Sequence, residues 1–229
     1  MEKKLSIAID GPAGAGKTTQ AKAVAKVLGF TYVDTGAMYR TLALYMKEAG
    51  KTMEEVPAAL KDVEMRIVRE KSGDQKMFLG TRDVTGLIRT PEISKLASDI
   101  SAIPAVREYL LETQRQLARE NNVVMEGRDI GTVILPDATL KVFLTADLDA
   151  RAWRRGRQME PGTYLLSRLA EEIKARDEND SKRAEAPLTK AEDAYFLDCS
   201  RLTIKETTEA FLEMWKAATA VNCVFFLSP

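Results

Sequence analysis

The chain has 229 residues and is 45% hydrophobic, which is typical of one large globular domain or of a core with one inserted subdomain. Lysine plus arginine balances aspartate plus glutamate at 34 each, so no overall basic field indicates a nucleic-acid partner. Histidine is absent, which excludes Ser-His-Asp catalysis, Cys-His catalysis and a histidine-bound zinc ion.

A phosphate-binding loop follows the first predicted strand. Residues 5–10 form a short apolar run, residues 11–18 read Gly-x4-Gly-Lys-Thr, and the alanine-rich residues 19–28 predict a helix. The glycines let amide N–H groups turn toward phosphate oxygens, Lys17 adds a positive charge, and the Thr18 hydroxyl suits Mg2+. Glycine-rich turns also arise by chance, but the flanking strand and helix supply the context that the motif requires. We therefore predict that the loop binds a nucleoside triphosphate.

The remaining elements alternate between strands and helices, which predicts an α/β fold with a mainly parallel sheet covered on both faces. Residues 51–88 break this alternation with two strand-like runs and a hairpin, which indicates a small antiparallel insertion. The apolar residues 221–227 have three interpretations: a strand, a segment docked on the core, or a patch facing a partner. In chain order we predict strands at 30–33, 63–69, 76–79, 122–125, 140–144 and 194–197, and helices after Asp34, from Pro91 to about 119 with a break at Pro104, after Asp147, and at 203–217.

Two polar clusters follow predicted strands, at the sheet edge where ligands of open α/β folds bind. The first, residues 34–40, is otherwise explained as a helix N-cap with a solvated Arg40. The second, residues 127–131, contains Arg128 and Asp129 between glycines and is otherwise explained as a plain surface turn with a local ion pair.

Basic residues concentrate on the helices between 151 and 183. Arg176, Asp180 and Arg183 share one helix face by their spacing. For this face, and for the arginines at 151, 154, 155 and 157, the favoured interpretation is a solvated, salt-bridged surface. The alternative is an arginine-rich flap that closes over polyphosphate.

The sequence shows no secretory or membrane signal. The N-terminal residues 1–5 lack a long apolar run, and no segment reaches the roughly 20 apolar residues that span a bilayer. The two cysteines, Cys199 and Cys223, are too few for a disulfide scaffold and are expected to be reduced. We therefore expect a cytoplasmic protein without a membrane partner.

The whole pattern resembles the bacterial cytidylate kinase family of P-loop nucleoside monophosphate kinases, over nearly the full length. The resemblance rests on Asp10-Gly-Pro-Ala-Gly-Ala-Gly-Lys-Thr-Thr19, Asp34-Thr-Gly-Ala-Met-Tyr-Arg40, Ile88-Arg-Thr90, Ala97-Ser-Asp-Ile-Ser101, Pro104-Ala-Val-Arg107, Glu126-Gly-Arg-Asp-Ile-Gly-Thr132, Arg176-Asp-Glu-Asn-Asp180 and Arg183-Ala-Glu-Ala-Pro-Leu188. It implies a P-loop NTPase three-layer fold with a core at 1–50 and 91–229, an inserted nucleoside-monophosphate-binding subdomain at about 51–90, and a lid at about 151–165. Lid residues 157–162 match no lid sequence of the family, and Thr35 replaces a serine that is also common.

The resemblance also implies a role for each matching residue. Ser98, Arg107 and Asp129 would bind the cytosine edge, with Tyr39 also on the substrate side, and Asp180 would contact the ribose. Thr35, Arg40, Arg128 and Arg176 would bind the acceptor phosphate, and Lys17, Arg128, Arg176 and Arg183 would surround the transferring group. The ATP phosphates would be held by Gly11, Pro12, Ala13, Gly14, Ala15, Gly16, Lys17, Thr18 and Thr19, with Mg2+ at Thr18.

The implied reaction is ATP-dependent phosphorylation of CMP and dCMP, a step of pyrimidine nucleotide metabolism, and the family suggests that the protein is a monomer. The acceptor phosphate is already an anionic nucleophile at pH 7, so cationic compensation is needed rather than a general base.

A P-loop kinase of hydroxyl substrates would instead need a carboxylate base, for which Asp34 or Asp129 is available. A regulatory GTPase would need an Asn-Lys-x-Asp motif, which the chain lacks, and a nucleotide-binding protein without turnover would be indifferent to CMP.

Overall fold

The computed structural model describes residues 4–70, 72–159, 162 and 164–225. Its strands are β1 (Ser6–Asp10), β2 (Thr31–Asp34), β3 (Met65–Arg69), β4 (Gln75–Leu79), β5 (Arg82–Asp83), β6 (Val123–Glu126), β7 (Leu140–Thr145) and β8 (Tyr195–Asp198). Its α-helices are α1 (Lys17–Leu28), α2 (Thr35–Glu48), α3 (Val56–Ala59), α4 (Pro91–Ile100), α5 (Pro104–Glu120), α6 (Leu148–Gly156), α7 (Leu166–Lys182) and α8 (Ile204–Phe225). A short π-helical turn covers Ile130–Ile134.

A five-stranded sheet in the order β2-β6-β1-β7-β8 forms the centre, and each neighbouring pair is parallel. Successive side chains of β1 point to opposite faces, as the strand geometry requires. Ile7 and Ile9 pack with residues of α1 and α8, whereas Ala8 packs with residues of α2, α4 and α5. The sheet therefore has helices on both faces, which confirms the predicted three-layer α/β fold.

The carboxyl ends of three adjacent strands bring three carboxylates to one edge of the sheet. Asp34 is opposite Glu126 in the β2–β6 register, and Glu126 is opposite Ile9, the residue before Asp10, in the β1–β6 register. All three acidic residues are buried. The P-loop leaves β1 at this edge, so the edge is where the candidate site is built.

The predicted antiparallel insertion is confirmed as a second sheet in the order β3-β4-β5, with both pairs antiparallel. Met77 of β4 is 1% exposed and belongs to the same hydrophobic cluster as α2 and α4, so the small sheet shares the main core. The side-chain amide of Gln75 accepts from the Asp34 backbone N–H at 2.9 Å and donates to the Asp34 carbonyl at 3.1 Å. Residue 71, within the predicted insertion, lies outside the described residues.

The helix predictions are confirmed except at the C-terminus. Pro91 and Pro104 each begin a helix, as predicted. The terminal helix was predicted at 203–217, but α8 continues to Phe225, so the strand interpretation of residues 221–225 is wrong. Residues 226–229, and residues 160, 161 and 163 of the predicted lid, lie outside the described part of the chain. Within the described part, none of the helices combines the length and apolar content that crossing a bilayer requires.

Candidate active site

The P-loop backbone forms an anion cradle at the start of α1. Gly11, Gly14 and Gly16 have positive φ angles of 147°, 75° and 98°, which other residues adopt only with strain. A Cβ on Gly11 would also lie 1.9 Å from the carbonyl oxygen of Leu144. Among the described residues, no side chain caps the N-terminus of α1 and no acidic residue occupies its first turn. The positive end of α1 and its amide groups therefore face the cradle without a competing carboxylate.

Lys17 lies within this cradle and is 6% exposed. Its Nζ donates to the carbonyl oxygens of Gly11 at 2.8 Å and Pro12 at 2.7 Å. Burial, together with the nearby Arg128, lowers the pKa of Lys17 to about 7, although Glu126 acts in the opposite direction. The structure therefore holds a desolvated amino group against the loop, where an incoming polyanion would stabilise the charged form of Lys17.

Glu126 joins the loop to the neighbouring strands. Its Oε1 accepts from the Tyr32 hydroxyl at 2.7 Å, and the nearby Thr18 side chain has a lowering effect on the pKa of this carboxylate. Burial and the proximity of Asp34 raise the pKa of Glu126. No role for Glu126 was predicted from the sequence, although its place at the end of a buried strand, directly before the Gly127 turn, was a usable signal.

Asp34 both caps the N-terminus of α2 and binds an arginine of the site. Its Oδ1 accepts from the Ala37 N–H at 2.8 Å, which confirms the N-cap, and its Oδ2 accepts from Arg40 Nη2 at 2.9 Å. Arg40 is not solvated, because its side chain is 14% exposed, so that part of the prediction is wrong. Burial would raise the pKa of Asp34, but Arg40 outweighs it and holds this pKa below the usual value.

Thr35 and Tyr39 lie on the side of α2 that faces the Arg128–Asp129 turn. The Thr35 hydroxyl donates to the Glu126 carbonyl at 2.7 Å, so its proton already has an acceptor. The Arg107 guanidinium lies 5.9 Å from the centre of the Tyr39 ring. Burial raises the pKa of Tyr39 to about 12, which keeps the phenol protonated at neutral pH.

The turn after β6 is buried, so its interpretation as a plain surface turn is wrong. Asp129 is 4% exposed; it accepts from Arg107 Nη2 and lies 3.5 Å from Arg183 Nη2. A Cβ on Gly127 would lie 2.6 Å from Ile130 Cδ1, so a larger residue there would have to displace the Ile130 side chain. The geometry places Arg107 and Asp129, which the resemblance assigns to the cytosine edge, beside Arg183, which it assigns to the transferring group.

Asp10 fixes this turn relative to the P-loop. Its two carboxylate oxygens accept from the backbone N–H groups of Ile130 at 2.8 Å and Gly131 at 2.7 Å. Burial raises the pKa of Asp10 to about 6, against the lowering effect of the two amides. Asp10 is part of the matched motif, but this role could not be predicted from the sequence, because the partner amides are about 120 residues away.

The solvated interpretation of Arg176, Asp180 and Arg183 is wrong, because Asp180 is buried and the two arginines are only partly exposed. The prediction that all three share one helix face is also wrong, since α7 ends before Arg183. Asp180 is 4% exposed and accepts from Arg128 Nε at 2.7 Å. Burial would raise the pKa of Asp180, but Arg128 and Arg176 hold it below its usual value. Burial beside Arg128 lowers the pKa of Arg176 to about 10, which leaves the guanidinium charged at neutral pH.

Several site guanidinium nitrogens lack protein partners. In the described ranges, Nε of Arg40 and Nε of Arg176 are buried without a hydrogen-bond partner. Arg183, just beyond the last residue of α7, donates from Nε to the Ala186 carbonyl at 2.6 Å. Buried donors of this kind are costly unless an acceptor satisfies them, so the cluster is suited to anionic oxygens.

A cavity of about 400 Å3 opens next to this cluster, between α4 and α7. Ser98 and Ser101 line it from one side, and Asp180 and Arg183 line it from the other. Arg107 reaches the same region, donating from Nη1 to the Ser101 carbonyl at 3.4 Å. The structure therefore brings the predicted Ser98 to the same cavity as Asp180 and Arg183.

Two arginines of α6 hold the P-loop from outside, so their interpretation as a solvated basic helix end is wrong. Arg151 is 9% exposed and donates to the Ala13 carbonyl at 3.0 Å and to the Ala146 carbonyl at 2.9 Å. Arg154 donates to the Ala15 carbonyl at 3.2 Å and to the Cys199 carbonyl at 2.6 Å. The solvated interpretation fits Arg157, which is exposed.

Comparison with known proteins gives one consistent picture. The family model described as "Cytidylate kinase" matches residues 7–217. The chain is 46% identical over 215 residues to the cytidylate kinase of Carboxydothermus hydrogenoformans, covering 92% of this chain and 96% of the relative. It is 48% identical over 221 residues to the cytidylate kinase of Desulfitobacterium hafniense, covering 94% of each. A solved structure of an uncharacterized protein from Eubacterium ventriosum superposes with a TM-score of 0.56 at 14% identity, covering 94% of this chain and 99% of that one, which supports the fold alone.

Proposed function

Because this chain belongs to the cytidylate kinase family, we propose that its site transfers the γ-phosphoryl group of ATP to the phosphate of CMP and of dCMP. The observation that carries the proposal is the pairing of two anion-binding groups at one sheet edge. One is the P-loop with Lys17, and the other is the partly buried arginine cluster of Arg40, Arg128, Arg176 and Arg183. Two polyanions brought together at this edge need that much positive charge.

The donor half of the proposed site is residues 11–19. The amide groups of the glycine-rich loop and the α1 N-terminus would hold the ATP phosphates, and Lys17 would exchange its carbonyl contacts for phosphate oxygens. The Thr18 hydroxyl, which lies near the Glu126 carboxylate, fits a magnesium site. Mg2+ needs few protein oxygens when phosphates and waters complete its shell, and when bound it offsets phosphate charge. Lys17 and the loop amides would offset the rest of the negative charge on the ATP phosphates.

The acceptor half is the arginine cluster with Thr35. A guanidinium presents a fork of N–H donors that matches phosphate oxygens, and the unpaired Nε atoms of Arg40 and Arg176 are suited to this task. No carboxylate base is required, because the acceptor phosphate is ionised at neutral pH. Asp34 and Asp129, which a kinase of hydroxyl substrates would use, are already paired with Arg40 and Arg107. Their engagement favours the phosphate acceptor over a hydroxyl acceptor.

Recognition of the cytosine and ribose would come from the cavity next to the cluster. Asp129 and Arg107 form one buried donor–acceptor pair, which can present an acceptor and donors to the edge of a base. Ser98 adds a hydroxyl, Tyr39 packs beside Arg107, and Asp180 would accept from ribose hydroxyls. We also propose that the protein works as a cytoplasmic monomer and binds no nucleic acid, in line with its neutral charge balance.

The test is a coupled ADP-release assay with ATP and Mg2+ against CMP, dCMP, UMP and AMP. We expect turnover with CMP and dCMP well above that with AMP, because the base contacts assigned to Arg107 and Asp129 fit a pyrimidine edge. A shikimate-type alcohol serves as the hydroxyl-acceptor control and should give no ADP above background. Turnover of AMP with neither cytidine nucleotide would make the base assignment wrong, and ATP binding without turnover of any acceptor would make the protein a binding module.

A further inference from the structure

Two adjacent residues of α7 serve different halves of the site. Arg176 belongs to the acceptor cluster beside Arg128, whereas the next residue, Asp177, turns toward the P-loop. Consecutive helical residues point about 100° apart, so one rigid turn of helix reaches both places. The acceptor cluster and the donor loop therefore share one structural support.

Asp177 and Arg151 enclose the backbone of a single P-loop residue. Asp177 Oδ1 accepts from the Ala13 N–H at 2.9 Å, and Arg151 Nη1 donates to the Ala13 carbonyl at 3.0 Å. The same Nη1 is hydrogen-bonded to Asp177 Oδ2, which closes a ring around the Ala13 peptide groups. The Asp177 side chain is 20% exposed and that of Arg151 is 11% exposed, so the pair is largely shielded from water.

The P-loop leaves little freedom around this clamp. A Cβ on Gly14 would lie 3.2 Å from Arg151 Cβ, so the loop passes directly over that side chain. The Ala13 methyl group packs with Ala152, Leu169 and Ile173 in a small hydrophobic cluster of α6 and α7. A loop held at its N–H, its carbonyl and its side chain keeps one position relative to α7.

We propose that Asp177 is a positioning residue, which together with Arg151 fixes the Ala13 segment of the P-loop at a set distance from Arg176 and so sets the spacing between donor and acceptor phosphates. The proposal rests on the function proposed above. In-line phosphoryl transfer depends on this spacing, and a misplacement of about 1 Å costs on the order of 100-fold in rate. Asp177 acts through the loop, without touching either nucleotide.

The experiment compares Asp177→Ala with Asp177→Asn in steady-state assays with ATP and CMP. Alanine removes both contacts of the carboxylate, and we expect kcat to fall on the order of 100-fold with the KM for CMP within about threefold. Asparagine keeps an oxygen for the Ala13 N–H but loses the ion pair with Arg151, so we expect its kcat to fall about tenfold, half of the logarithmic loss for alanine. Calorimetric titration of ATP alone reports binding independently of turnover.

The matched control is Glu178→Ala, the next residue of α7, whose carboxylate is half exposed and pairs with Lys182. We expect this control to keep the wild-type kcat. A kcat for folded Asp177→Ala within threefold of wild type would overturn the inference, even if its melting temperature fell, since that would be a purely structural role. If Asp177→Ala does not fold, Asp177→Asn takes its place in the test. A kcat for Asp177→Asn within about threefold of wild type would then overturn the inference. Absence of CMP turnover in the wild type would overturn the proposed function first and this inference with it.

Discussion

Lys17 has a pKa far from its ordinary value, which brings its titration close to neutral pH. Its pKa of about 7 is set by burial and by Arg128, so near neutral pH much of the protein without nucleotide carries an uncharged amine. Phosphate oxygens would favour the charged form, so ATP binding is expected to raise this pKa. Because the chain has no histidine, no imidazole titrates in the same range. Nucleotide binding should therefore be linked to proton uptake at Lys17.

We predict uptake of roughly 0.9 proton on ATP binding at pH 8, together with weaker ATP binding as the pH rises above 7. The sign follows from the lowered pKa of the free protein, because above that pKa a proton must be gained before the ammonium can pair with phosphate. Calorimetric titrations in two buffers of different ionisation enthalpy measure the uptake directly. Lys17→Arg is the control, since a guanidinium stays charged and should abolish the uptake. Equal heats in both buffers for the wild type would contradict the prediction.

At the scale of one element, the turn after β6 is closely packed around a glycine, Gly127. The Gly127 backbone passes so close to Ile130 and Thr35 that a Cβ would lie 2.6 Å from Ile130 Cδ1 and 2.7 Å from Thr35 Oγ1. Gly127→Ala must therefore displace the Ile130 and Thr35 side chains or the turn that carries Arg128 and Asp129. We predict a loss of about 1–3 kcal/mol in the free energy of unfolding, measured by urea denaturation, with a raised KM for CMP.

The chain supplies a matched control for this substitution. Gly86 has nothing within 4 Å of the corresponding Cβ position, so Gly86→Ala tests the loss of glycine flexibility without a clash. We expect Gly86→Ala to change the free energy of unfolding by less than about 0.5 kcal/mol. A Gly127→Ala variant as stable as Gly86→Ala would mean that the turn accommodates the methyl group.

The strands and helices could be predicted because local pattern and end signals agree. Pro91, Pro104 and Asp147 mark helix starts in the sequence and begin or cap helices in the structure. The extension of α8 to Phe225 could not be separated from a strand, because residues 221–227 are apolar without a clear period.

The site was predictable as a set of motifs but not as a set of contacts. Asp180 pairs with Arg128, and Asp10 binds the Ile130 amide, across separations of 52 and 120 residues. Charged residues such as Arg151 were assigned to a solvated surface because burial of a charge depends on its partner. That partner, Asp177, lies on another helix, and neither side of the pair carries a local signal.

For the molecule as a whole, the pH dependence of the free energy of unfolding reflects buried carboxylates with raised and with lowered pKa values. The pKa of Asp10 is raised to about 6, chiefly by burial, whereas arginines hold the pKa of Asp34 and of Asp180 below the usual value. Between pH 4 and 6 the native state therefore binds a proton at Asp10 that the unfolded chain does not, so Asp10 favours folding as the pH falls through this range. Asp34 and Asp180 act in the other direction, since their contribution is lost as the pH falls further through their folded pKa.

We predict that the free-energy difference between the wild type and Asp10→Asn changes by about 2 kcal/mol between pH 7 and pH 4.5, in favour of the wild type at low pH. The contribution of the surface carboxylates to the free energy of unfolding cancels in this difference, because both proteins carry them. Urea unfolding at pH 4.5, 5.5 and 7 measures it, and Asp137→Ala, an exposed carboxylate, is the control. A constant difference over this range would show that Asp10 titrates at its ordinary value.

The contact between Gln75 and the Asp34 peptide has a consequence for how molecules of this protein behave at high concentration. β2 is an edge strand, and an edge strand offers unpaired peptide groups on which a second chain can add. The amide of Gln75 meets both peptide groups of Asp34, at 2.9 and 3.1 Å, in the way a neighbouring strand would. A side chain thus imitates one residue of a strand and protects that end of β2 from aggregation, at the same place where the small sheet is tied to the start of α2.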